Sequence, residues 1–136
     1  MAGLEARLSE ADAALATLDE AVGRGSRSLI ECDGAILRLI YTFQAVWKAC
    51  QQLLAEREDI EVASANTTIR AARRLGWVSD EDAEAAMRIG RDRNLAVHMY
   101  RGRIGAEIDE RLTDHAALLR RCWRALRQRA TGSGRN

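Results

Sequence analysis

Apolar residues return along this chain at steps of four and three, the period of one face of a helix, and no stretch alternates at a period of two. Leu4, Leu8, Ala11, Leu15, Leu18 and Val22 trace a first seam, and Gly23 and Gly25 come after it as a stop. Ser26 or Ser28 is placed to cap a second helix, the longest, over about residues 28–58. Its seam is Ile36, Ile40, Phe43, Trp47, Cys50 and Leu54, and Leu39, Val46 and Leu53 widen it into a face that can touch two neighbours at once. Such a face belongs at the centre of a bundle or at a dimer interface. After a connection at 59–64, the pattern predicts a short helix over about 66–75, stopped by Gly76. Ser79, with Asp80, Glu81 and Asp82 at the positive end of a helix dipole, starts a fourth helix that runs to His98 or Tyr100. Gly102 and Gly105 are expected to break the chain before a last helix over about 106–127, with Ile108, Leu112, His115, Leu119, Cys122 and Leu126 in its seam. The expected fold is all-α: an antiparallel up-and-down four-helix bundle with one additional short helix. It forms a single domain over about residues 1–130, with a frayed polar tail at 131–136.

Composition narrows the classes of function. Hydrophobic residues at 47% and charged residues at 30% give a globular balance, and no proline interrupts the helical pattern. A net charge of +1 excludes a global basic field, so a polyanion site would have to be built from local clusters. Cys32, Cys50 and Cys122 are odd in number, far apart and without a Cys-x-x-Cys pair. They are expected to be free thiols in a reducing compartment rather than a disulfide framework or a zinc site. With only two histidines a histidine-built metal site is improbable, and no metal or cofactor is expected. No N-terminal apolar run resembles a signal peptide, and no apolar stretch approaches the roughly 20 residues that span a bilayer. The expected location is the cytoplasm, away from any membrane.

Candidate chemistry is confined to one segment. The chain has no glycine-rich phosphate loop before a helix, no His-Glu-x-x-His and no nucleophile elbow. His115 lies in an apolar seam and is expected to be a hydrogen-bonded core histidine, and Trp47, Trp77 and Trp123 are expected to be core or interface aromatics. His98 differs, because Arg93 and Asn94 precede it and Tyr100 comes after it. At about 100° per residue, Asn94 and His98 lie about 100° and 140° round from Arg93, and Tyr100 returns to about 340°. On an undistorted helix Arg93 and His98 therefore do not converge. Either the helix ends near His98, or a second subunit completes the site. A histidine can exchange a proton with a ribose 2′-hydroxyl or a leaving oxygen, and an arginine can hold a phosphate, so the pair suits metal-free cleavage of RNA. Arg88, Arg91, Arg101 and Arg103 lie around the motif and could guide a polyanion. Alternatively, these arginines form a solvated face paired with the acids at 80–84.

Arg93-x4-His98-x-Tyr100 resembles the Arg-x4-6-His motif of the HEPN superfamily. Asp92-Arg93-Asn94-Leu95 and His98-x-Tyr100 are similar to the nucleotidyltransferase substrate-binding protein family. In helix two, Asp33, Ile36, Arg38, Thr42, Phe43, Trp47 and Lys48 agree with that family's pattern, and Ile69-Arg70-Ala71-Ala72 followed by Gly76 is a weaker third match. The chain departs from the pattern where Leu39 and Ile40 replace Phe-Glu and Gln44 replaces a second acid.

The resemblance implies a homodimer with the two motifs close to its cleft, and a partner: a separately encoded minimal nucleotidyltransferase of the DNA-polymerase-beta-like type. In related two-component modules the HEPN protein is a ribonuclease toxin, silenced when the nucleotidyltransferase attaches AMP to the motif tyrosine. Carried over, Arg93 and His98 would be catalytic, Asn94 would orient the site, and Tyr100 would accept AMP. Two other functions fit the same residues: a non-catalytic subunit that presents a substrate to the nucleotidyltransferase, and a helical dimerisation module with a decayed site.

Overall fold

The computed structural model describes residues 3–99 and 102–132, and among them every regular element is an α-helix. The helices are α1 (Leu4–Val22), α2 (Leu29–Glu58), α3 (Ala65–Arg74), α4 (Asp80–Met99) and α5 (Gly102–Thr131). Local chemistry sets their ends. Ser28 and Glu31 form a reciprocal capping box at the start of α2: the Glu31 N–H donates to Ser28 Oγ at 3.2 Å, and the Ser28 N–H donates to Glu31 Oε1 at 2.9 Å. Asp59 ends α2 in the left-handed region with φ 57°. Ser64 and Thr67 box the start of α3, and Gly76, with φ 77°, turns the chain after it. At the start of α4 the Asp82 N–H donates to Ser79 Oγ at 3.0 Å.

One core joins all five helices. α2 lies at its centre and packs against α1, α3, α4 and α5. The wide face read from the sequence is what allows this, since Ile36, Leu39, Phe43, Val46, Trp47, Cys50, Leu53 and Leu54 are all buried. Complete burial of a leucine such as Leu39, Leu53 or Leu54 contributes roughly 1.5–3 kcal/mol each. α1 presents Leu8, Ala11, Leu15 and Leu18 to this core. Charged pairs tie α5 to the other end of the chain. Arg27 Nε donates to Asp109 at 2.7 Å, Asp19 pairs with Arg120, and Asp12 accepts from both Trp123 Nε1 and Arg127 Nη2 at 2.6 Å. Trp47, Trp77 and Trp123 are all buried, as expected of core aromatics.

The last helix differs from the sequence expectation. It begins at Gly102 rather than near residue 106, it runs to Thr131, and Gly105 is buried inside it. The glycines therefore mark the start of α5 and a close-packed position, not a long break. A glycine is a poor helix former only by about 1 kcal/mol, which the complete burial of Ile108 and partial burial of Ile104 can override. Residues 133–136 of the expected tail lie outside the described residues.

Candidate functional site

α4 carries the Arg93 segment, and a buried polar cluster fixes it to α5. Asp92 is 5% exposed. Arg111 donates to it twice, from Nε at 2.9 Å and Nη2 at 2.8 Å, and His115 Nε2 lies 2.7 Å from its Oδ2. Burial alone would push the Asp92 carboxyl up; the hydrogen bonds from Arg111 and His115 outweigh it and hold the group below its ordinary value. His115 is thus the core, hydrogen-bonded histidine that its position in an apolar seam predicted. Its partner was not visible in the sequence, because Asp92 and His115 are 23 residues apart on different helices.

Arg93, the next residue, turns the other way, toward α2. At Gly90 the α4 backbone passes over the Phe43 ring, which stands 3.5 Å from where a Cβ at this position would lie, an ordinary contact distance. One turn further on, the Arg93 guanidinium sits 5.9 Å from the centre of the same ring, and Nη1 donates to Gln44 Oε1 at 3.4 Å. Arg93 Nε is buried and has no hydrogen-bond partner. Among the described residues no carboxylate pairs with this guanidinium. Gln44, where the resembled pattern has an acid, leaves Arg93 a half-buried cation held by a neutral amide and an aromatic face.

The remaining predicted residues separate by helix face. Asn94 and Arg91 are exposed and line a groove between α3 and α4 with Arg93, Arg70 and Asn66. His98 is exposed one turn beyond Asn94 and makes no hydrogen bond among the described residues. α4 ends at Met99, one residue after His98 and close to the end expected from the sequence, and Arg93 and His98 still lie on different faces of the one helix. Arg88 faces a different groove, between α4 and α5, beside Arg111 and Arg121. Arg103 is exposed and lies 3.8 Å from Glu107. Tyr100 and Arg101 lie outside the described residues. The acids at the start of α4 do not neutralise Arg88 or Arg91: Asp80 lies 3.9 Å from Arg73 and Asp82 lies 2.9 Å from Arg121.

A second seam on α2 escaped the periodicity count. Ile30, Gly34, Leu37, Tyr41 and Gln44 step by 4, 3, 4 and 3 along its outer face. Ile30 is 82%, Leu37 65% and Tyr41 51% exposed. The seam ends at Gln44, the partner of Arg93, and Val97, 60% exposed, lies one turn after Arg93 on α4. Apolar side chains at helical spacing were visible in the sequence, but the broader buried seam beside them masked this one.

No metal-binding group of three or more histidine, cysteine or acidic side chains occurs among the described residues. Cys50 and Cys122 are buried free thiols, pushed up to about 12 and about 11 by burial, and are therefore neutral and unreactive. Among the described residues no helix is long and apolar enough to cross a membrane.

A chain whose described residues are helical, with an arginine that no described carboxylate pairs with, an exposed histidine five residues after it and an exposed apolar seam on α2, has clear relatives. Residues 6–128 match the family described as nucleotidyltransferase substrate binding protein like, and the chain belongs to that family. It is 43% identical to a Thermus thermophilus protein of known crystal structure, over 86% of this chain and 98% of that one, with a TM-score of 0.82. It shares its fold, at 13% identity and a TM-score of 0.75, with a chain in the structure of a mutant MntA–HpeT toxin–antitoxin and with one in the complex of a tri-AMPylated Shewanella oneidensis HEPN toxin with its MNT antitoxin. Each of these two matches covers 91% of this chain and 96% of the other. No curated protein matches the chain.

The Asp92 cluster makes a testable contribution. Because its folded pKa lies below the ordinary 3.8, Asp92 stabilises the fold above that pH, and this contribution is lost as pH falls through the folded value. Asp92→Asn is expected to lower stability by about 2 kcal/mol at neutral pH, less than for a fully buried broken pair because Arg111 is half exposed. Urea unfolding of both chains across a pH series should show this difference shrinking in acid. Equal midpoints at neutral pH would contradict the role given to Asp92.

Proposed function

We propose that this chain is the ribonuclease toxin of a two-component toxin–antitoxin pair and cleaves RNA without a metal ion. The observation that carries this reading is Arg93: a half-buried guanidinium with no carboxylate partner among the described residues, five residues before an exposed histidine, in a member of this family. In the proposed reaction His98 takes the proton of a ribose 2′-hydroxyl, the 2′-oxygen attacks the adjacent phosphorus, and the bond to the 5′-oxygen breaks. The leaving oxygen must gain a proton, and a second histidine or a water can supply it. Arg93 holds the phosphate and stabilises the extra negative charge of the transition state. Asn94 orients the strand or the imidazole, Arg91 and Arg101 add local positive charge along the approach, and Arg88 and Arg103, on the α5 side and beside Glu107, contribute only at longer range.

The site is completed by a second copy of the chain. Arg93 and His98 point to different faces of α4, and the helix does not end between them. The exposed seam of Ile30, Leu37 and Tyr41, continued by Val97, is the kind of apolar surface that an isolated soluble chain seldom leaves uncovered. Pairing two chains along it would bring both motifs to one cleft. Within each copy, the proposed arrangement of the four long helices is antiparallel and up-and-down. The proposed partner is a minimal nucleotidyltransferase, as in the toxin–antitoxin complexes that share this fold, and the proposed place of action is the cytoplasm. Tyr100 is its proposed AMP acceptor.

A second reading, a non-catalytic subunit that presents substrate to the nucleotidyltransferase, draws on the separation of Arg93 from His98 within one chain. Two measurements decide between them. Expression without the partner should arrest growth and fragment cellular RNA, and His98→Ala should abolish both; wild-type and variant chains that behave alike would sink the nuclease. Incubation with the partner and ATP should add the mass of one or more AMP groups to the peptide that contains Tyr100. An unmodified peptide under conditions where the complex forms would count against silencing by AMP transfer.

A further inference from the structure

We infer that the groove between α3 and α4 is a phosphate-binding subsite that holds an RNA strand beside the Arg93 motif, with Arg70 and Arg91 as its cationic walls. The inference rests on the nuclease reading for the identity of the strand; the groove itself is a separate feature. Arg70 comes from α3, Arg91 and Arg93 come from α4, and all three guanidinium-bearing residues line the same concavity. No acidic residue lines it. In a chain whose net charge is only +1, three cations without a carboxylate among them form a local imbalance. Like charges that line one groove repel one another, and a bound anion would supply the counter-charge.

The adjacent groove shows the difference. Between α4 and α5, Arg111 is tied to Asp92 and Arg121 to Asp82, and Asp114 lies beside them. Those arginines are engaged in holding the helices together. Arg70 and Arg91 are exposed and form no ion pair among the described residues, so their donors are available to a ligand.

The groove also has the polar groups that a nucleotide requires. Asn66 stands one turn before Arg70 on α3, and Asn94 stands three residues after Arg91 on α4. Each exposed amide offers a donor to phosphate and both a donor and an acceptor to a ribose hydroxyl or a base edge. The N-terminal turn of α3, at Ser64 to Asn66, adds its positive dipole end to the same wall. Arg93 and Asn94 belong both to this groove and to the proposed cleavage motif. A strand that places one phosphate at Arg93 would therefore lay a neighbouring phosphate against Arg70 and Arg91. This gives α3 a role that its sequence did not disclose, because Arg70 is more than twenty residues from the motif.

Binding can be read without cleavage. In a His98→Ala background, fluorescence anisotropy of a labelled single-stranded uridine oligonucleotide should show Arg70→Gln and Arg91→Gln each weakening affinity about fivefold and lowering the salt dependence by about one phosphate contact. Arg124→Gln, an exposed arginine on α5 away from the groove, should change neither. Helical signal and the unfolding midpoint should be unaltered in all three. Equal affinities for the three variants would overturn the subsite. So would loss of ATP or AMP binding with RNA binding intact, which would make the groove a mononucleotide site instead. Failure here is distinct from failure of the nuclease reading, which shows as RNA cleavage indifferent to His98.

Discussion

The site depends on the anchoring of Asp92. Its buried carboxylate accepts two hydrogen bonds from Arg111 and one contact from His115, all across the α4–α5 interface. A carboxylate so placed is costly to bury and stable only with every partner present, so it allows α4 one rotational setting and disfavours the others. With Asp92 turned inward, the period of the helix sets the direction of each later side chain. Arg93 must face α2, Asn94 must face the α3 groove, and His98 must face outward. The chemistry of the segment is thus set by a residue that takes no part in it.

The second constraint is what the chain omits. Gln44 gives Arg93 a weak neutral contact at 3.4 Å, and Phe43 gives it a π face. Neither neutralises it. Elsewhere the fold pairs its arginines readily, as at Asp12, Asp19, Asp82 and Asp109. Three arginines without an ion pair among the described residues, Arg70, Arg91 and Arg93, share the groove on the α3 side of α4. Such cations, in a chain that also exposes an apolar seam on α2, fit a site that takes a polyanion at the edge of a contact between two copies.

Helix positions were legible in the sequence because apolar seams mark the helices and serine caps mark the starts of three of them. α1 begins and ends where the leucine pattern does, and Ser28, Ser64 and Ser79 stand at the starts of the next three helices. The start of α5 is not legible from Gly102 and Gly105, whose low helix propensity points to a break, because packing decides a helix that buries Ile108 and Leu112 completely. The Arg93 motif was visible as a motif, and its angular spread agrees with Arg93 facing α2 while His98 is exposed. The Asp92–His115 pair, the Arg93–Gln44 contact and the α3 wall were not visible. Each joins residues 19 or more positions apart, and the period of one helix carries no information about what stands opposite it.

The central claim is that Arg93 and His98 act together across two copies. The measurement that tests it most directly uses Arg93→Ala and His98→Ala chains carrying different tags, co-expressed and purified through both. Each variant alone should be inactive on RNA. In a mixed pair with two-fold symmetry one of the two composite sites retains both residues, so it should cleave at about half the wild-type rate. A mixed pair that assembles and remains as inactive as either variant alone would contradict the account.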